Sequence, residues 1–141
     1  MKKKSIILSV VILAVLFVMF ISAYAVFDQL FPKAAAINTP EKESVAAITI
    51  VRNDGSSVDI AKAEHERLLQ TIAKAQSTRK MSINDHPSEK EYYTIKAYTP
   101  GKEFYYYAYT GGSEAYIEIP YEGVYKTDKQ FLASIEDYFK D

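Results

Sequence analysis

The sequence predicts an α+β fold: a single small domain with a mainly antiparallel sheet, behind an N-terminal transmembrane helix. Three observations predict it. An uncharged apolar run occupies residues 6–27, one residue after Lys2, Lys3 and Lys4. Several short segments show the two-residue alternation of strands and are punctuated by Asn-Asp-Gly, Pro-Gly and Gly-Gly. Two further segments, one between the strand sets and one at the C-terminus, space their apolar residues as helices do. The resulting order is ββα, then three or four strands, then α.

The apolar run comes first. At a helical rise of 1.5 Å per residue, 6–27 is about 33 Å long, enough to cross a hydrocarbon core of ~30 Å. The three lysines hold residues 1–5 in the cytoplasm as a short tail, so 28–141 lie outside the cell membrane. A secretory signal cleaved after Ala25, in Ala23-Tyr24-Ala25, is the alternative. The run 6–21 is at or beyond the ~7–15 residues of a signal core, which favours an uncleaved anchor. Both readings export the same domain.

Composition narrows the function classes. The chain has no cysteine, so a disulfide framework, a thiolate metal site and an N-terminal lipidated cysteine are all excluded. Without the three N-terminal lysines, 14 Lys+Arg stand against 18 Asp+Glu, a net charge of −4. A mildly acidic surface argues against nucleic acid as a partner and against tight docking onto anionic lipid.

Residues 28–44 hold Pro32, Pro40, three alanines and mixed charges, and read as a linker before a domain spanning 45–141. The run 44–51, SVAAITIV, is apolar at almost every position and is expected as a strand buried on both faces. Asn53-Asp54-Gly55 turns the chain into a second strand at SVDI. Residues 61–76 are expected as a helix with Ala61, His65, Leu68, Leu69, Ile72 and Ala75 on one face. His65, at the edge of that face, is expected to pack rather than to bind a ligand. Met81 and Ile83 suggest a short strand. Strands follow at 92–99, 103–110 and 115–120. A closing helix at 127–140 has Thr127 as N-cap, Gln130 in the capping-box position and a stripe of Phe131, Leu132, Ile135, Tyr138 and Phe139.

Twelve tyrosines and no tryptophan make the aromatic usage unusual. Strand parity sorts them. If Ile95, Ala97, Ala108, Ala115, Ile117 and Ile119 face the helices, the opposite face carries Tyr92, Tyr98, Tyr105, Tyr107, Tyr109 and Tyr116. Broad rings with phenol tips suit a peptide, glycan or envelope-protein partner. Two plainer readings compete: cross-strand tyrosine pairs that merely stabilise a solvent-facing sheet, or a face covered by another part of the chain.

Residues 82–87, Ser-Ile-Asn-Asp-His-Pro, hold His86, the second of only two histidines. The chain offers too few histidines for a zinc site without cysteine, and Ser82 and Ser88 lack the glycines of a nucleophile elbow. Asn84 and Asp85 are good turn formers, so an ordered turn is the favoured reading. No catalytic set, cofactor or metal is expected. A hydrolase-like site of Asp85, His86 and Glu118 is the enzymatic alternative.

Two segments also carry a resemblance. Thr78, Ser82, Ile83, Asn84, Asp85 and Pro87 fit T-x-x-x-S-[IV]-N-D-x-P. Tyr116, Ile117, Glu118, Pro120, Tyr121, Gly123, Val124 and Tyr125 fit Y-I-E-x-P-Y-x-G-[IV]-Y. Over roughly 45–139 the chain resembles a family of small exported domains of unknown function in Gram-positive Firmicutes. The resemblance implies export and a single α+β domain, and no activity. His86 falls at the variable position of its motif. If the two segments pack together, Asn84, Asp85, Glu118, Tyr121 and Tyr125 form a rim, either a binding site or a hydrogen-bonded corner of the fold. The functional expectation is a membrane-anchored extracytoplasmic binding module. A secreted inhibitor or immunity-type factor is the alternative if the signal is cleaved.

Overall fold

The computed structural model describes residues 2–140. It divides into two compact units between Lys33 and Ala34. The first is helix α1, Lys2–Leu30. It is unbroken through Ala23-Tyr24-Ala25 and, among the described residues, is the one helix long and apolar enough to cross a membrane.

The second unit is an open seven-stranded sheet with helices on one face. Its strands are β1 (Ala47–Arg52), β2 (Ser57–Asp59), β3 (Gln76–Ser77), β4 (Tyr92–Thr99), β5 (Lys102–Gly111), β6 (Glu114–Ile119) and β7 (Gly123–Thr127). Its helices are α2 (His65–Ala73) and α3 (Lys129–Asp137). The strand order is β2-β1-β4-β5-β6-β7-β3, and every neighbouring pair is antiparallel.

The α+β class and the ββα opening stand as expected, but five strands rather than three or four follow α2. The additions are β3 and β7. Gln76 leaves the expected helix because it and Ser77 pair with Lys126 and Tyr125 of β7, giving that strand a second neighbour. Met81 and Ile83 form no strand and are exposed. Helix α3 starts later than expected because Thr127 pairs with Ala115 as the last residue of β7. Asp128 caps α3 instead, its carboxylate accepting from the Gln130 N–H at 2.9 Å. Strand β1 is not buried on both faces. Ile48 and Ile50 are buried, while Thr49 and Val51 are half-covered on the other side.

The core lies between the sheet and the two helices. Ile48, Ile50, Ile95, Ala97, Tyr106, Ala108, Ile117 and Tyr125 meet Leu68, Leu69, Ile72, Phe131, Leu132 and Ile135 there. His65 is buried in this layer, its Nε2 3.0 Å from the Ile60 carbonyl, so the packed reading of that histidine holds. The compact unit begins at Ala34 rather than near Val45. Ile37 is buried, and the Ala34 N–H donates to the Thr78 carbonyl at 3.0 Å. Gly123 makes room for this segment: a Cβ on it would stand 2.5 Å from the Ala34 Cβ.

The topology leaves one long crossing. The chain exits β3 at one sheet edge and must re-enter at β4, four strand spacings or about 19 Å away. The helices fill one face, so residues 78–91 cross the other, which carries the tyrosines.

Candidate functional site

Backbone alternation decides which side chains meet on the outer face. Register sets them in rows: Tyr92, Tyr109, Tyr116 and Lys126; then Thr94, Tyr107, Glu118 and Val124; then Lys96 and Tyr105; then Tyr98 and Glu103. All six predicted tyrosines therefore share one face. The aliphatic residues opposite them face the helices, as parity requires.

Residues 78–91 form a strap across the β5–β6–β7 side of this face. Its root is held by β7: the Thr78 hydroxyl donates to the Val124 carbonyl at 2.5 Å, and the Val124 N–H to the Lys80 carbonyl at 3.1 Å. The Lys80 ammonium sits over the Tyr116 ring, 4.4 Å from its centroid. Ser82 turns inward and donates to Glu118 Oε1 at 2.7 Å. Tyr109 donates to Glu118 Oε2 at 3.0 Å. The carboxylate is only 7% exposed and Tyr109 only 8%, although neither faces the helical core. Burial first, then the nearby Glu118 charge, pushes the Tyr109 phenol well above its usual range.

Further along the strap, the Tyr121 hydroxyl donates to Asp85 Oδ1 at 2.6 Å, a bond that raises the Tyr121 phenol. The His86 ring stacks on Tyr92 with centroids 6.3 Å apart, and Tyr92 meets Tyr107 edge-on at 5.6 Å. Pro87 is buried, and the Asn53 amide closes the far end by donating to the Lys90 carbonyl.

The two motif segments do pack together, but as a different set from the expected rim. Thr78 with Val124, Lys80 with Tyr116, Ser82 with Glu118, and Asp85 with Tyr121 join them. Asn84 is on the surface. Tyr125 is absent from the rim: it pairs with Ile117, shares its face, and is buried in the core at 1% exposure. Ser82 is the residue that sequence reasoning passed over; its signal was the motif position, not nucleophilic chemistry. Asp85, His86 and Glu118 each bond a different group, His86 Nδ1 lying 3.1 Å from the Pro87 carbonyl. Among the described residues no three of His, Asp and Glu gather as a metal site would require.

The turn carrying Tyr121 is strained. The Glu122 N–H donates to the Ile119 carbonyl, with Pro120 second and Tyr121 third in the turn. Tyr121 has φ +62°, the only positive φ outside glycine among the described residues. Proline second and a left-handed third residue mark a type II turn, which ordinarily places glycine where this tyrosine stands.

Beyond the strap, the β4–β5 side of the tyrosine face stays open. Tyr105 is 37% exposed, and Tyr98 and Tyr107 are half-exposed beside Lys96. The Tyr105 hydroxyl donates to Glu103, which raises that phenol. An open cleft at the far end of the strap is lined by Arg52, Asp54, Glu89, Tyr92, Tyr109 and Lys140 among others. Arg52 lies over the Phe139 ring at 4.5 Å and pairs with Asp54 at 3.6 Å, so its charge is already engaged.

No curated protein matches the sequence. The NMR structure of the protein from Ruminococcus gnavus is similar, with 28% sequence identity and a TM-score of 0.59, over 69% of this chain and 99% of that one. The model of the family DUF5301, described as "Domain of unknown function (DUF5300)", matches residues 33–126. That match begins beside Ala34, where the compact unit begins, and takes in both motif segments. The resemblance carried by those segments was thus to a family of unknown function, and the chain belongs to DUF5301.

Proposed function

We propose that the chain is a single-pass membrane protein whose extracytoplasmic domain binds an envelope partner without catalysing a reaction. The N-terminus lies inside and the α+β unit outside. The contact surface is the open part of the tyrosine face, centred on Tyr105 and flanked by Tyr98 and Tyr107. One observation carries this reading: Tyr105 is exposed and Tyr98 and Tyr107 are half-exposed, while the strap buries Tyr109 on the same face. A purely structural tyrosine ladder would have no reason to be covered on one side and bare on the other. Broad, rigid aromatics with polar tips give contact area at low entropic cost. The anchor half of the reading rests on the uncharged stretch of α1 and the lysines before it.

The test is a photocrosslinking amino acid at position 105 in the full-length protein, expressed in a bacterial membrane, with exposed Lys62 as the control position. A discrete adduct at 105, absent at 62 and lost with Tyr98→Ser, is expected. Equal labelling at both positions would refute the proposed surface. Full-length mass in the membrane fraction is expected alongside; a soluble product starting at Val26 would instead establish the secreted alternative.

A further inference from the structure

The largest exposed apolar side chains of the second unit are not on the tyrosine face. Met81 is 66% exposed, Ile83 74% and Tyr121 64%, against 37% for Tyr105. Inward-facing Ser82 separates Met81 from Ile83, so the strap turns both apolar side chains outward while its hydroxyl holds Glu118. The Tyr121–Asp85 bond ties the strained β6–β7 turn to the same strap. Exposed apolar residues gathered on adjoining loops mark a surface that meets something apolar.

Chain connectivity says what that is. Helix α1 ends at Leu30 and the compact unit begins at Ala34. Three intervening residues, one of them Pro32, reach at most about 14 Å from Leu30 to Ala34. Ala34 is therefore where the chain tethers the second unit, within that reach of the end of α1. That point lies at the β7–β3 edge, where the segments that carry the exposed cluster begin. The Ala34 N–H bonds the Thr78 carbonyl, and Ala34 packs against Gly123. Tyr121 is two residues from Gly123, within about 7 Å along the chain, and Ile83 is five from Thr78, within about 18 Å. The opposite edge, β2, lies six strand spacings or about 29 Å from β3.

We infer that Met81, Ile83 and Tyr121 form a docking surface for the lipid interface around the chain's own anchor, seating the domain with its β7–β3 edge toward the bilayer. The inference rests on the anchor reading above. Tyrosine favours the headgroup level, and Met and Ile bury apolar area at the acyl boundary. Attachment to the bilayer supplies the proximity, so a net charge of −4 outside the N-terminal lysines does not oppose it; anionic lipid is not required. Docking on this edge leaves the open tyrosine rows over β4 and β5 accessible from the side.

The absence of cysteine allows a direct test on the full-length protein in phosphatidylcholine vesicles. Single-cysteine variants carry an environment-sensitive fluorophore at Ile83→Cys, at Ser57→Cys on the β2 edge, and at Val18→Cys in α1. Quenchers sit at shallow or deep positions on the lipid chains. Position 83 is expected to be quenched severalfold more by the shallow quencher than position 57, and position 18 by the deep one. Quenching at 18 with 83 no different from 57 overturns the docking surface and leaves the anchor standing. No quenching at 18 overturns both. Since a label at 83 is itself apolar, a second measurement places it at Asn84→Cys. There, Met81→Asp with Ile83→Asp is expected to reduce quenching to the level of position 57; unchanged quenching overturns the assignment to these side chains.

Discussion

Removing the Ser82 hydroxyl should loosen the strap and destabilise the domain. The bond to Glu118 is 2.7 Å long, buried, and runs from a neutral donor to a carboxylate. Bonds of this kind contribute about 1.5–3 kcal/mol. In Ser82→Ala, Glu118 keeps the Tyr109 hydroxyl, while Oε1 of this carboxylate, only 7% exposed, loses its donor. We expect a loss of about 2 kcal/mol, or roughly 10 °C in Tm for a unit of this size. Denaturant unfolding of the full-length protein, followed by near-UV tyrosine signal, reads it. Ser88→Ala, on the exposed part of the strap, is the control and should change nothing. Glu118→Gln in the Ser82→Ala background should recover part of the loss, because an amide short of one bond is cheaper to bury than a carboxylate. Ser82→Ala and Tyr109→Phe share one acceptor, so their effects should depart from additivity by more than ~0.5 kcal/mol. A Ser82→Ala loss below ~0.5 kcal/mol, together with simple additivity, would refute the fastening of the strap through Glu118.

Three further outcomes follow from the geometry. Gly123→Ala should cost about 1–3 kcal/mol, the range for overpacking, by driving a Cβ into Ala34, and Ala34→Gly should relieve it in the double variant; equal losses in single and double variants would count against that contact. Tyr106→Phe should be neutral or stabilising by about 1 kcal/mol in thermal unfolding, because its buried hydroxyl has no hydrogen-bond partner among the described residues; a clear loss would count against that reading. Stability should fall as pH rises above about 10, the ordinary tyrosine value. Burial, the first cause at each, raises the phenols of Tyr93, Tyr106, Tyr107, Tyr109, Tyr125 and Tyr138, so the unfolded chain releases protons that the folded chain still holds. Absorbance at 295 nm should then report most of the phenolate only as the fold is lost.

Local periodicity was enough for much of this protein. The uncharged run of α1, the strands β4, β5 and β6, and the apolar stripes of α2 and α3 are legible because each depends on residues a few positions apart. The division into an aliphatic and a tyrosine face is legible for the same reason: alternation is a property of the extended backbone itself. Tertiary structure decided the rest. Whether Tyr125 joined Tyr121 at the surface or Ile117 in the core depended on the register of β7 against β6, and one residue of slip would have exchanged the two faces. Ala34 and Ile37 read as linker because nothing near them in sequence announces Gly123 and Thr78 as partners. Glu118 and Tyr109 read as exposed residues of an open face. They are buried because β3 pairs at the far edge of the sheet, and a chain that must return to β4 can only cross the face the helices leave free.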